Sequence, residues 1–216
     1  MAKLILDNSL SEKDIARDFE LYGNADISFP EGALKIETKD KEGEAAFLCT
    51  GSFPSDVRIE WEFMPLSSGG RASLIFACKN AQSDDAAKGE PGSGSFFELS
   101  FYRRKGAASK AFHVSKLFKS DPVQTWEVAS GADPLPDAVA QAYSGAKESE
   151  DSDGFWYKMI VVKNKDKVSF AINDMDILGF ADDGLKCGEL LTGGRIGFKQ
   201  EGAMAAQYRN LKVTWI

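Results

Sequence analysis

Cysteine is scarce in this chain, and long apolar segments are missing. Three cysteines among 216 residues, Cys49, Cys78 and Cys187, are too few and too scattered for a disulfide framework, and no CxxC pair indicates a zinc site. We expect buried free thiols. No segment approaches the ~20 apolar residues of a membrane span, and the first residues lack the features of a secretory signal. We therefore expect a soluble, cytoplasmic protein with no membrane partner.

Basic residues are also fewer than acidic residues. The chain has 26 Lys and Arg against 33 Asp and Glu, a formal net charge of -7. This balance argues against a nucleic-acid partner, because phosphate neutralisation needs a basic surface. Six cations and no acid nevertheless lie between Leu99 and Ser120. Such a segment is typical of a solvated sheet edge or of a site for an anionic ligand.

Short alternating segments recur along the chain, separated by Gly, Pro, Asp and Ser. About fourteen of them are candidate strands, from KLIL to AQYRNLKVTWI, and a helical period is present only around residues 12–19. The pattern predicts an all-β fold, a two-sheet β-sandwich of jelly-roll type forming a single domain over residues 1–216. Long loops are expected at 80–95, 131–136 and 141–154.

The segment SFFELSFYRRK has two unlike faces, because side chains alternate along a strand. One face is apolar. The other carries a carboxylate, two hydroxyls and a guanidinium, from Glu98, Ser100, Tyr102 and Arg104. These groups suit a polar groove, although a half-exposed outer strand has the same pattern.

The next segment, AFHVSKLF, is predicted to be the second arm of a hairpin. Keeping apolar residues together places Phe101 opposite Val114, and hence Tyr102 opposite His113. His113, the only histidine, titrates near neutral pH and can move protons. The alternative is a histidine that serves as a hydrogen-bonded structural group.

Two further carboxylates, Glu60 and Glu62, lie on the polar face of the predicted strand VRIEWEFMP. Their i, i+2 spacing resembles part of a glycosidase acid/base arrangement. Glutamates on the solvent side of an outer strand are the alternative.

Hard oxygen ligands of the kind that calcium prefers occur at Asp84-Asp85 and at Asp182-Asp183-Gly184. Neither pair has the spacing of a calcium loop, and turn formation accounts better for the DDG sequence. We predict no cofactor and no metal in the functional site, and leave a structural calcium ion open.

The motifs SFYRRK, GADPLP, DDG, GGRIGFKQ and YRNLKV, in this order, resemble the YesU-like family of uncharacterised bacterial proteins, a domain of unknown function. The resemblance runs over roughly residues 47–212. It implies a concanavalin A-like sandwich, whose concave sheet often holds saccharides. The matching motif positions are Ser100, Arg103, Arg104, Asp133, Pro134, Asp183, Gly197 and Gln200.

The family's genes tend to lie among those for enzymes acting on acidic plant or algal polysaccharides, which implies a carbohydrate ligand and assigns no reaction. We therefore predict a lyase or glycoside hydrolase acting on acidic, pectin- or alginate-like oligosaccharides in the groove of the concave sheet. The alternatives are a non-catalytic carbohydrate-binding protein that uses the same groove, and an interaction module that forms a homodimer.

Two chemistries remain open for an enzyme. In a lyase, Arg104 and Gln200 would neutralise a uronic carboxylate while Tyr102 and His113 move protons. In a hydrolase, Glu98 would pair with Glu60 or Glu62. Ser100 is expected to contact the substrate in either case.

Overall fold

Alternating apolar and polar residues assemble this chain into two antiparallel sheets. The computed structural model describes residues 2–38, 43–66, 70–79, 94–105, 111–131 and 156–216, with the backbone alone at 101–105 and 111–114. The predicted two-sheet antiparallel β-sandwich is confirmed. The helical period around residues 12–19 is helix α1 (Glu12–Asp18), and a short 3₁₀ turn follows at Pro30–Gly32.

Sheet A has the order β13-β12-β11-β6-β15-β4-β3, and β1 also pairs with β15. Its strands are β1 (Lys3–Asn8), β3 (Asp26–Ser28), β4 (Leu34–Thr38), β6 (Val57–Pro65), β11 (Tyr157–Asn164), β12 (Lys167–Ile172), β13 (Met175–Ala181) and β15 (Met204–Trp215).

Sheet B has the order β10-β9-β8-β7-β14-β5-β2. Its strands are β2 (Phe19–Gly23), β5 (Glu44–Cys49), β7 (Arg71–Lys79), β8 (Ser95–Lys105), β9 (Ala111–Ser120), β10 (Thr125–Ser130) and β14 (Arg195–Glu201). The predicted loops at 80–95, 131–136 and 141–154 lie almost entirely outside the described residues.

The hydrophobic core lies between the inner faces of the two sheets, where aromatic rings from both sheets pack together. The ring centroid of Phe198 in sheet B lies 5.9 Å from that of Trp61 and 4.7 Å from that of Tyr208, both in sheet A. Tyr208 also contacts Phe63, with 5.3 Å between centroids. Burial of these large side chains, which removes apolar area from water, holds the sheets together.

Two of the three cysteines are buried, and Cys49 belongs to the core between the sheets. Cys49 and Cys78 are buried free thiols, as expected, whereas Cys187 is a free thiol that is half-buried. Burial raises the pKa of Cys49 to about 12 and that of Cys78 to about 11. Both therefore remain protonated at neutral pH and act as small apolar side chains.

The β8–β9 hairpin forms as expected, but its register differs by one residue from the predicted one. Tyr102 pairs with Val114, and His113 pairs with Arg103. The prediction was wrong because it kept apolar residues opposite one another and so left no place for a lysine opposite Phe97. Lys119 instead pairs with Phe97 on the inner side and is 2% exposed.

Lys119 tolerates this burial because its ammonium group has local partners. Its Nζ lies 2.6 Å from Oδ2 of Asp182 and donates to the carbonyl oxygen of Gly188 at 3.0 Å. A buried charge that is paired and hydrogen-bonded escapes most of the desolvation penalty. Apolar alternation alone does not reveal such a partner.

The only helices among the described residues are too short or too polar to cross a membrane.

Replacing Gly197 by alanine tests the close contact between β14 and β5. An added Cβ would lie 2.1 Å from the carbonyl oxygen of Phe47, so the strands must shift. We expect the free energy of unfolding, measured by urea denaturation, to fall by about 1–3 kcal/mol. Gly179→Ala is the matched control, since its nearest neighbour would be the Val168 carbonyl oxygen at 3.9 Å. Equal effects of the two substitutions would contradict this packing.

Candidate functional site

The outer faces of the two sheets differ in how far their charged side chains are exposed to solvent. On sheet A, Arg58 and Lys158 point away from the core with 36% and 46% of their side chains exposed. On sheet B, Lys199 also points away from the core, yet only 2% of its side chain is exposed. Lys199 is therefore enclosed by neighbouring groups on the outer face of sheet B.

We call this area the recess and define it by seven polar side chains on four adjacent strands. They are Glu44 of β5, Lys199 and Glu201 of β14, Arg71 and Ser73 of β7, and Glu98 and Ser100 of β8.

Strand alternation and register explain why these side chains meet. In β14, Ile196 and Phe198 belong to the core, so Lys199 points outward. Lys199 pairs with Ser73, and Ser73 pairs with Ser100. The three side chains therefore form a row across neighbouring strands, with Cβ atoms about 5 Å apart.

Two cations hold the recess together. Nζ of Lys199 lies 2.7 Å from Oε1 of Glu44 and 2.5 Å from Oε1 of Glu201. Arg71 forms an ion pair with Glu201 and approaches Oε1 of Glu98 at 3.7 Å. Each cation is thus shared between two carboxylates.

The serine hydroxyls of the recess differ in their partners. Oγ of Ser73 donates to Oε1 of Glu98 at 2.7 Å. Oγ of Ser100 and Nε of Arg71 are buried and have no hydrogen-bond partner among the residues that the structure describes. Both contacts of Glu98 use Oε1, so its Oε2 takes part in no hydrogen bond or ion pair with the part of the chain that is described.

Lys199 and Glu201 stabilise each other's charged forms. Burial by itself would lower the pKa of Lys199, but the carboxylates of Glu98, Glu201 and Glu44 outweigh it, and the pKa is raised. Burial would raise the pKa of Glu201, but Lys199 and Arg71 outweigh it, and this pKa is lowered. Lys199 and Glu201 therefore both remain charged at neutral pH.

An apolar patch adjoins the polar cluster on the same outer face. It comprises Leu48, Ile75, Cys78 and Phe96, with the half-buried Tyr22 packed against them. At its edge, the guanidinium carbon of Arg195 lies 5.9 Å from the centroid of the Tyr22 ring, and Nη2 of Arg195 lies 2.8 Å from Glu20. The four patch residues are themselves at most 3% exposed, so Tyr22 is the member of this group that reaches solvent.

A family model described as a domain of unknown function, DUF1961, matches residues 3–213. The chain belongs to the DUF1961 family. It is 32% identical to the uncharacterized protein YesU of Bacillus subtilis (strain 168), over 95% of this chain and 93% of that protein. The predicted YesU-like resemblance is confirmed, and it extends over the N-terminal residues as well.

Solved structures are similar to this DUF1961 chain along most of its length. One, from Bacillus subtilis, is a protein of unknown function with a galectin-like fold; it is 31% identical, has a TM-score of 0.78, and the match covers 99% of this chain and 97% of that one. Another is the carbohydrate-binding module CBM66 from Bacillus subtilis, at 14% identity and a TM-score of 0.56, covering 90% and 95%. The second likeness concerns the fold alone.

Two of the predicted site residues of this DUF1961 chain, Glu98 and Ser100, lie in the recess. The side chains of Tyr102, Arg104 and His113 lie outside the described residues. Their backbone positions continue β8 beyond Ser100 and begin β9.

The other three predicted residues lie elsewhere. Gln200 is buried between the sheets, where its amide oxygen accepts from the Tyr208 hydroxyl at 3.0 Å and its nitrogen donates to the carbonyl oxygens of Ile36 and Met204. Alternation along β14 turns Gln200 inward because Lys199 faces outward. Gln200 therefore does not line the recess.

Glu60 and Glu62 lie on the outer face of sheet A, on the opposite side of the sandwich from Glu98. Glu60 accepts from Nη2 of Arg58 at 2.9 Å, and Glu62 contacts Arg209 and Asn210. The expected pairing of Glu98 with either residue is therefore not present, because β6 and β8 belong to different sheets.

Sequence reasoning missed Arg71, Lys199, Glu201 and Glu44. A signal was available in β14, since RIGFKQE places Lys199 and Glu201 on the face opposite the apolar residues. The adjacency of β5, β14 and β7 was not visible, because these strands are distant in sequence.

The DDG sequence serves a turn, as predicted. Oδ1 of Asp182 accepts from the backbone nitrogen of Gly184 at 3.1 Å, and Oδ1 of Asp183 accepts from those of Leu185 and Lys186 at 3.0 Å each. Asp84 and Asp85 lie outside the described residues. Across the ranges that are described, no group of three or more His, Cys, Asp or Glu side chains could hold a metal ion.

Replacing Lys199 by methionine tests whether the recess depends on its buried cation. The substitution leaves Glu44 and Glu201 without their shared partner, so we expect the free energy of unfolding to fall by about 2–4 kcal/mol in urea denaturation. Lys158→Met is the matched control, since Lys158 is exposed and pairs with Asp174 at 3.1 Å. Its loss should stay below about 1 kcal/mol. A loss for Lys199→Met no larger than the control's would contradict the assignment.

Replacing Glu201 by glutamine should change how stability depends on pH. The pKa of Glu201 in the folded chain lies below its ordinary value of 4.5. Its carboxylate therefore stabilises the fold above that pH, and the contribution is lost as the pH falls through the folded pKa. The difference in melting temperature between the unmodified chain and Glu201→Gln should be largest at neutral pH and should decrease as the pH is lowered. A difference that stays constant with pH would rule out this role.

Proposed function

We propose that the chain binds an oligosaccharide in the recess on the outer face of sheet B. The observation that carries the proposal is the burial of fixed polar groups on this face, with Lys199 and Ser100 hidden from solvent. Binding sites for small ligands are concave and combine a few fixed polar groups with apolar surface. The recess and its adjoining apolar patch have this composition.

The chemistry of the recess suits sugar hydroxyl groups. A hydroxyl both donates and accepts, and bonds to charged partners are stronger than those between neutral groups. Arg71 and Glu98 offer one charged donor and one charged acceptor within 3.7 Å of each other. The half-buried ring of Tyr22, which packs against the buried apolar cluster, suits the CH face of a sugar ring. The fold of a carbohydrate-binding module is consistent with such a site.

We further propose that the ligand is acidic, of pectin or alginate type, and that its carboxylates meet the basic end of β8. Arg104 follows the recess residues Glu98 and Ser100 along this strand and shares their alternation. Arginine binds carboxylates in a bidentate fashion, which gives both affinity and orientation. We retain the predictions of a cytoplasmic location and of a homodimer.

Catalysis is the second candidate function. It is favoured by the presence of two carboxylates, Glu98 and Glu201, that both contact Arg71. A hydrolase needs such a pair, and the lowered pKa of Glu201 suits a base or nucleophile rather than a proton donor. In a lyase, Tyr102 and His113 would move protons instead.

The binding experiment uses calorimetric titration with pectin-derived, alginate-derived and laminarin-derived oligosaccharides. Arg71→Ala should weaken binding of the active probe about tenfold or more, a loss of roughly 1.4 kcal/mol. Arg58→Ala is the matched control, because Arg58 has similar exposure but lies on the outer face of sheet A. It should leave the affinity unchanged.

The same incubations separate the candidate functions. New reducing ends indicate a hydrolase, and ultraviolet absorbance of an unsaturated uronic product indicates a lyase. Binding without either product contradicts the catalytic candidate. Failure of every probe to bind, or equal effects of the two arginine substitutions, contradicts binding in the recess.

A further inference from the structure

We infer that the part of the recess formed by Arg71, Glu98 and Ser100 binds uncharged hydroxyl groups and excludes carboxylates. The inference rests on the proposed function and specifies which part of the ligand occupies this position. An acidic oligosaccharide would then place an uncharged edge of a sugar unit here, and its carboxylates elsewhere.

The charge balance of the recess is the first reason. Two cations, Arg71 and Lys199, face three carboxylates, Glu44, Glu98 and Glu201. Both cations are already shared between two carboxylates each. Lys116 of β9, which pairs with Ser100, brings its own carboxylate, Glu127 at 2.7 Å, and so does not change the balance. A carboxylate of the ligand would add a fourth negative charge to a poorly solvated cluster, where like charges repel strongly.

The unused hydrogen-bonding groups are the second reason. Within the described ranges, Nε of Arg71 is a buried donor without a partner, and Oγ of Ser100 is a buried hydroxyl without a partner on a residue that is 0% exposed. Oε2 of Glu98 is an acceptor that no described side chain uses. A carboxylate cannot donate to Glu98, whereas a sugar hydroxyl can donate to Glu98 and accept from Arg71.

The placement of these groups is the third reason. Ser100 and Glu98 are two residues apart on one face of β8, and Arg71 extends along the adjacent β7 to reach Glu98. The side chain of Glu98 is 9% exposed and that of Arg71 is 33% exposed, so little of either is in contact with solvent. Such limited access suits the hydroxyl-bearing edge of a sugar unit better than a whole ring.

An ordered water molecule could satisfy the same buried groups, since such waters bridge unpaired polar atoms in protein interiors. The two occupants differ in a measurable way. A water molecule leaves the affinity for sugar unaffected by changes at Glu98 and Ser100, whereas a sugar hydroxyl makes the affinity depend on both.

The test compares Glu98→Gln, Glu201→Gln and Ser100→Ala by calorimetric titration with oligogalacturonides and with the same oligomers after reduction of their carboxyl groups. If hydroxyls occupy the site, Glu98→Gln should weaken binding of both probes about tenfold, because a charge-assisted hydrogen bond is lost. Ser100→Ala should weaken it several-fold. Glu201→Gln should not strengthen binding of the acidic probe.

If a carboxylate of the ligand occupied this position, the substitutions would change the affinity in the opposite direction. Removal of a neighbouring negative charge by Glu98→Gln or Glu201→Gln would then strengthen binding of the oligogalacturonide. It would not strengthen binding of the carboxyl-reduced oligomer. That result overturns the inference, and so do unchanged affinities in both Glu98→Gln and Ser100→Ala, the result expected for a water molecule.

Controls separate this inference from the proposed function. Glu37→Gln removes a carboxylate that pairs with Lys35 at 2.9 Å on sheet A, and it should leave all affinities unchanged. Thermal melts of each variant check folding. If neither probe binds the unmodified chain, the proposed acidic ligand and the inference both fail. If binding occurs and Glu98→Gln strengthens it, only the inference fails.

Discussion

The arrangement of the outer face of sheet B depends on one interaction, the burial of the Lys199 ammonium group between Glu44 and Glu201. A lysine that is 2% exposed would be costly without partners, since transfer of a charge out of water is strongly unfavourable. Here two carboxylates offset that cost and draw β5 and β14 together. Arg71 then extends the network from Glu201 to Glu98, so a single buried cation organises polar groups on four adjacent strands.

Strand β14 contributes side chains both to the core between the sheets and to the recess. Phe198 and Gln200 of β14 point inward to Tyr208, while Lys199 and Glu201 point outward. The aromatic packing that joins the sheets therefore also fixes the height and spacing of the recess side chains. Preorganisation of this kind suits ligand binding, because the site loses little side-chain freedom when the ligand arrives. It also suits fixed hydrogen bonding better than chemistry that needs a proton donor, since Glu201 and Lys199 hold their charges.

Alternation in the sequence was sufficient to predict the two-sheet architecture and the outward direction of Glu98 and Ser100. It was not sufficient where a charged residue is buried or where strands distant in sequence become neighbours. Lys119 lies on the inner face, where Asp182 pairs with it, and the hairpin register differs by one residue from the predicted one. Glu60 and Glu62 share the alternation of Glu98 but belong to the other sheet, and a local pattern does not specify sheet membership. Lys199 and Glu44 are more than a hundred residues apart in the sequence, so their pairing could not be predicted from a local pattern either.

Nuclear magnetic resonance mapping of backbone amides during titration with an oligosaccharide tests the central claim, that the recess is the binding site. We predict that the largest chemical-shift changes fall in β5, β7, β8 and β14 around Lys199 and Glu98. The amides of β6 and β11, which bear Glu60 and Lys158 on the outer face of sheet A, should change little. Changes concentrated on β6 and β11, with the amides around Lys199 unaffected, would contradict the account.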